Sequence, residues 1–276
     1  MTLIIRIPDV VFTDASLPIL GRDTMLSAGA KFIYDFADSY CWPSQAAPTS
    51  NGQVVKNLVE SMADASIYFS PGQAPGFAGG GLTLGVPAEQ GVAIPDSVGM
   101  LASNNDGFLY SIWLKHGEQL NKASQSLVAG NTYQSNIENQ YACAYLADTG
   151  VYRMYADGER NGDVTGIAVG QIVQLAIAYL PDGAGGHKIR LYKNGAPFLA
   201  DKAVVGPLNI PVNAARTNSI GRNSTGAGGF VQEWVGTVFR NWLEDLSVSQ
   251  PNAAQRAAYA DAQVAKDYAQ NVGRFS

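Results

Sequence analysis

Short stretches in which apolar and polar residues alternate recur from Lys31 to Leu246, each closed by a cluster of Gly, Asn, Asp or Pro. A period of two belongs to strands, whose successive side chains point to opposite faces. Lys31 to Phe36 puts Phe32, Tyr34 and Phe36 on one face and Ile33 on the other. Phe108 to Leu114 is rich in aromatic and branched residues. Tyr141 to Leu146 sets Tyr141, Cys143 and Tyr145 against two alanines, and Ile172 to Tyr179 aligns Val173, Leu175, Ile177 and Tyr179. Ile189 to Lys193 runs into Asn194-Gly195, a two-residue hairpin signal, because a type I′ turn needs positive φ at both positions. Roughly a dozen such segments, with no α/β alternation and no fixed repeat, predict an all-β sandwich or barrel.

The two ends differ from the middle. Residues 1–28 mix apolar residues with Pro8, Pro18 and Gly21 and hold no sustained period. They read as an extended arm, and Leu3, Ile5, Ile7, Val11 and Phe12 are the side chains expected to anchor it to another subunit. An ordinary first strand plus loop is the alternative. At the other end Pro251 opens an alanine-rich helix over about 252–272, closed by Gly273. Its apolar positions, Ala254, Ala258, Val264, Ala265, Tyr268 and Val272, form a thin stripe suited to a flat sheet or to another subunit.

Composition narrows the function classes. Of 276 residues 46% are hydrophobic, enough for a core. Only 15% are charged, which suggests a surface partly covered by partners. The net charge is −5 and no Lys/Arg run occurs, which argues against nucleic acid as a ligand. The longest uncharged apolar stretches, such as Ile172 to Pro181, are half of the ~20 residues a membrane helix needs. The start lacks a basic n-region and is interrupted by Arg6, Pro8 and Asp9, so it makes a poor signal peptide. Synthesis in a reducing cytoplasm is expected, with Cys41 and Cys143 as free thiols.

The succession of Phe108–Leu114, Ile172–Tyr179, Pro181-Asp182-Gly183, the hairpin IRLYKNGAPF, the piece NSIGRN and a last strand with Phe230, Gly236 and Leu246 resembles the concanavalin A-like or laminin-G-like jelly roll. The resemblance covers about residues 30–250 and implies a two-sheet antiparallel sandwich. The expected organisation is an arm over 1–28, the jelly roll over 29–250, and a C-terminal helix and tail over 251–276. Together with the arm, the chain resembles bacteriophage structural proteins. That likeness implies a non-enzymatic virion component of tail, baseplate or head decoration, docking on other virion subunits and on copies of itself. The alternative is a lectin-like module for a host-surface glycan. No cofactor, nucleic acid or membrane insertion is implied.

The acids and histidines bear on catalysis. Retaining glucanases of this fold need carboxylates about 5–5.5 Å apart on one strand. Neither Glu233, nor Glu244-Asp245, nor Asp157 with Glu159 supplies that spacing. His116 precedes Gly117 and His187 sits in a Gly-rich turn, away from where a lyase set would need them. Asn104 and Asp106 are weak candidates for a calcium loop against a plain turn. Tyr133, Asn136, Gln140, Tyr141, Tyr145 and Tyr155 are the candidates for stacking on and hydrogen bonding to a sugar, if the central strands form a concave face. Core packing is the alternative for alternate members of that set.

Overall fold

The structure, a computed structural model, describes residues 23–85, 90–99, 101, 107–119, 125–132, 141–156, 161–181, 186–204, 217–222 and 232–276. Among these residues the strands, in chain order, are β1 (Ala30–Asp35), β2 (Val54–Val55), β3 (Ala65–Phe69), β4 (Gly76–Ala78), β5 (Gly81–Leu84), β6 (Gln90–Ile94), β7 (Phe108–His116), β8 (Gln125–Thr132), β9 (Tyr141–Leu146), β10 (Val151–Ala156), β11 (Asn161–Val164), β12 (Ile172–Pro181), β13 (His187–Lys193), β14 (Ala196–Pro197), β15 (Lys202–Val204), β16 (Thr217–Arg222), β17 (Gln232–Glu233) and β18 (Gly236–Asp245). The helices are α1 (Asp96–Gly99), α2 (Leu246–Ser249) and α3 (Arg256–Asn271). None is long and apolar enough to cross a membrane.

The strands form two sheets packed as a sandwich. One runs β14-β13-β12-β7-β18-β5-β4, with β1 on β18 and β15 on β13. The other runs β11-β10-β9-β8-β16-β6-β3-β2, with β17 on β8. All pairings are antiparallel except the short β8–β17 ladder. The expected all-β sandwich with one C-terminal helix is therefore what the chain forms. The inward faces carry the alternation expected above. Phe32 stacks near Tyr34 at 5.2 Å, and Tyr110 lies 4.7 Å from Tyr141 across the sandwich.

The Asn194-Gly195 turn has φ of 52° and 83°, as a type I′ turn requires. A second constraint acts at Gly195, where a Cβ would stand 2.8 Å from Tyr268 Cβ of α3. Gly195→Ala is expected to cost about 1–2 kcal/mol through the left-handed backbone alone, and more if Tyr268 must shift. A lowered denaturation midpoint with unchanged slope would show it.

The helix packs on its own sheet. Its buried side is Arg256, Ala260, Val264, Asp267 and Asn271. The expected stripe was rotated from this, because polar residues turn inward to meet buried partners. Asp267 accepts hydrogen bonds from Arg240 Nε (2.9 Å), Trp113 Nε1 (2.8 Å), Trp242 Nε1 (3.1 Å) and Gln174 Nε2 (2.7 Å). Arg240, 1% exposed, also donates to Asp35 (2.8 Å) and Asp23 (2.6 and 3.0 Å). Of the two surfaces expected for the helix, a flat sheet or another subunit, this side of α3 takes the sheet of its own chain.

Residues 23–28, the end of the expected arm, contact the sandwich. Asp23 is tied to Arg240, Met25 is buried, and Ser27 donates to Glu244 at 2.6 Å. The segment from Asp23 onward is part of the sandwich. Leu3, Ile5, Ile7, Val11 and Phe12 lie outside the described residues.

Candidate functional site

Four backbone hydrogen bonds shape one end of the sandwich. At the end of β7, His116 N–H donates to Gln171 O (3.0 Å) and Gly170 N–H donates to His116 O (2.7 Å). Gly117 N–H donates to Val235 O (3.1 Å), an approach so close that a Cβ at Gly117 would stand 2.8 Å from that oxygen. The β9–β10 hairpin closes with Gly150 N–H on Leu146 O (2.8 Å). These turns gather His116, Glu118, Gln119, Tyr145, Ala147, Gly150 and Val169 around an open cleft of about 510 Å³. Pockets of roughly 300–1,000 Å³ hold small ligands.

A buried relay fixes the histidine. Trp234 Nε1 donates to the Tyr152 hydroxyl at 3.0 Å, and that hydroxyl lies 2.7 Å from His116 Nδ1. Tyr152 has one proton to give, and a buried O–H without an acceptor is costly. The hydroxyl accepts from Trp234 and donates to Nδ1, which leaves the proton of the neutral imidazole on Nε2. Burial keeps the imidazole neutral by lowering its pKa. The ring also packs against Tyr145 (4.9 Å) and Tyr152 (5.5 Å).

The rest of the lining mixes polar and apolar groups. No described residue hydrogen-bonds the Tyr145 hydroxyl, and burial raises its pKa, so it stays a neutral donor and acceptor. Glu118 is exposed and contributes a carboxylate acceptor. The Gln119 amide is consumed: Nε2 donates to Gly117 O (2.9 Å) and Val235 O (2.7 Å), and Oε1 accepts from Val235 N–H (3.1 Å). Val169, 63% exposed, supplies an apolar edge.

The structure divides the tyrosines chosen from the sequence. Tyr145 reaches the cleft and is 7% exposed. Tyr141 is 1% exposed and spends its hydroxyl on Gly99 O at 2.7 Å, inside the core. Tyr155 packs with Leu127, Ala142 and Ala144 on the opposite face of the sheet. A shared concave platform of Tyr141, Tyr145 and Tyr155 does not form, because alternation sends Tyr145 and Tyr155 to different sides and the inner face is filled. Tyr133, Asn136, Gln140, Asn104 and Asp106 lie outside the described residues. Trp113, also on a central strand, faces α3 and stacks on Tyr268 at 5.6 Å.

His116, set aside from the sequence, lines the cleft. The signal for it was the continued alternation Tyr110, Ile112, Leu114, His116, which carries the inward face one step beyond Leu114. Among the described residues the cleft is lined by one carboxylate, Glu118, and no three His, Cys, Asp or Glu gather to hold a metal.

No family model and no curated protein matches the chain. Among solved structures it is similar to Trypanosoma rangeli sialidase in complex with 2,3-difluoro-KDN, at 14% identity and a TM-score of 0.54, covering 88% of this chain and 33% of the sialidase. It is also similar to domain 4 of an extracellular GH43 arabinanase from Geobacillus stearothermophilus in complex with arabinotriose, at 14% identity and a TM-score of 0.53, covering 87% of this chain and 98% of that domain. The chain spans about a third of the sialidase's length. At these identities the likeness is one of fold.

Proposed function

We propose that the chain is a carbohydrate-binding domain that acts without catalysis, and that its ligand enters the cleft of His116, Glu118, Tyr145 and Val169. The observation that carries this reading is the relay from Trp234 through Tyr152 to His116. It spends two buried polar groups, the Trp234 indole N–H and the Tyr152 hydroxyl, on holding one imidazole at the cleft in one tautomer. A fixed Nε2–H donor, a neutral phenol and a carboxylate acceptor beside an apolar rim suit the mixed hydroxyl and C–H surface of a sugar. The arabinanase domain, whose structure holds arabinotriose, shares the fold and gives the reading a second support. The described lining residues include one carboxylate, Glu118, where a paired-carboxylate glycosidase uses two, which favours binding over hydrolysis.

A place in a bacteriophage virion, as a receptor-recognition component, is compatible with this proposal. Its support is the arm-like sequence of residues 1–28 and the resemblance in chain style to bacteriophage structural proteins.

The test is calorimetric titration of the full chain with a panel of neutral and acidic oligosaccharides. Tyr145→Phe removes one hydroxyl and leaves the ring. It is expected to weaken binding about three- to tenfold, the worth of one net hydrogen bond of ~0.5–1.5 kcal/mol. A panel that gives no heat with the wild type, or an affinity untouched by Tyr145→Phe, sinks the reading. Release of reducing sugar would overturn its non-catalytic half.

A further inference from the structure

We infer that the cleft selects neutral and cationic sugars and rejects acidic ones, with Glu118 as the residue that sets the choice. This rests on the carbohydrate reading above and names its ligand class. Among the described residues lining the cleft, Glu118 carries the one formal charge. The imidazole of His116 is held neutral by burial and by the Tyr152 hydroxyl at Nδ1, so it offers a dipole and no cation. The Gln119 side chain has no donor left to give, since both N–H groups on Nε2 go to backbone carbonyls. A uronate or sialate carboxylate entering here would lose water and gain no counter-charge from the described lining residues.

It would also meet a like charge. Two carboxylates about 4 Å apart repel by ~1 kcal/mol even at the dielectric of water, and by more at a protein surface. A neutral sugar has the opposite relation to the same group. Its hydroxyls donate to the Glu118 carboxylate, a charge-assisted bond stronger than a neutral one, and accept from His116 Nε2–H. A protonated 2-amino sugar would add an ion pair to that set. The likeness in fold to a sialidase therefore does not extend to an acidic ligand at this cleft.

The experiment uses matched oligosaccharides differing in one group: a neutral hexose trisaccharide, its uronic acid counterpart and its 2-amino counterpart. Each is titrated into the full chain at low salt, where surface charges are least screened. For the wild type the neutral member is expected to bind at least about fivefold tighter than the acidic one, and the amino member tighter still, the acid-to-neutral gap being ~1 kcal/mol converted at 1.4 kcal/mol per decade. In Glu118→Gln, an exposed and isosteric change, both gaps should shrink below about twofold. Equal or tighter binding of the acidic member, or gaps that survive Glu118→Gln, overturns the selectivity and leaves sugar binding standing. Failure of all three members to bind overturns both.

Discussion

Arg240→Met is expected to lower stability by about 3–5 kcal/mol, the usual cost of removing one partner from a buried ionic group. Arg240 donates to Asp23, Asp35 and Asp267, and the substitution leaves three carboxylates around an apolar side chain. Asp267 belongs to α3, so the helix should loosen together with the segment that carries Asp23. Guanidinium unfolding followed by tryptophan fluorescence reads this directly, since Trp113 and Trp242 both donate to Asp267.

The pH dependence separates this cause from simple loss of packing. Burial alone would raise the Asp23 pKa, but the hydrogen bonds and charge of Arg240 outweigh it and hold it below 3.8. A depressed folded-state pKa stabilises above the unfolded value and loses that stability as pH falls through the folded one. The wild type should therefore weaken on acidification below about pH 4. In Arg240→Met burial dominates, the Asp23 carboxyl moves up, and the sign reverses: the variant should be more stable at pH 4–5 than at pH 7. A variant that weakens on acidification in parallel with the wild type would show that Arg240 acts by shape and not by charge.

The second large effect is expected at Tyr152→Phe. Removing the hydroxyl leaves Trp234 Nε1–H without an acceptor and His116 Nδ1 without a donor. Each buried orphan costs about 1–3 kcal/mol, so the loss should be roughly 2–6 kcal/mol. Nitrogen-15 NMR of the histidine provides the functional half of the test. In the wild type His116 should be the Nε2–H tautomer throughout neutral pH. In Tyr152→Phe the two tautomers should mix, and sugar affinity should drop with the fraction of the correct one. A histidine already mixed in the wild type would remove the basis of the proposed site.

The strands were legible because alternation and turn chemistry are local. Asn194-Gly195 is read from two residues and needs no knowledge of the fold. Alternation shows that Tyr141 and Tyr145 share a face, but it does not tell an open face from a filled one. In a sandwich the inner faces of both sheets carry the same aromatic pattern as a binding platform would. Burial of Tyr141 follows from Tyr110 and Phe108 meeting it from the other sheet. The arginine cluster was invisible for a different reason. Asp23 and Arg240 are 217 residues apart, and no spacing rule links charges that only tertiary packing brings together. The relay of Trp234, Tyr152 and His116 is hidden in the same way, whereas the inward setting of His116 could have been read by counting two residues past Leu114.

The position of β18 has a kinetic consequence. It is made from Gly236–Asp245, yet it pairs with β7 on one side and with β1 and β5 on the other. The β9–β10 and β12–β13 hairpins join near neighbours and can close in about 1–10 μs. The sheet holding β18 must instead wait for a loop closure across most of the chain, and such non-local pairing slows folding to milliseconds or seconds. During that interval β7, with its aromatic run Phe108–His116, offers a bare edge, and β1 has no strand to pair with. Unpaired edges of this kind recruit other chains. Recovery after dilution from denaturant should therefore fall as protein concentration rises, while the folded protein, with β18 seated, should stay dispersed at the same concentrations.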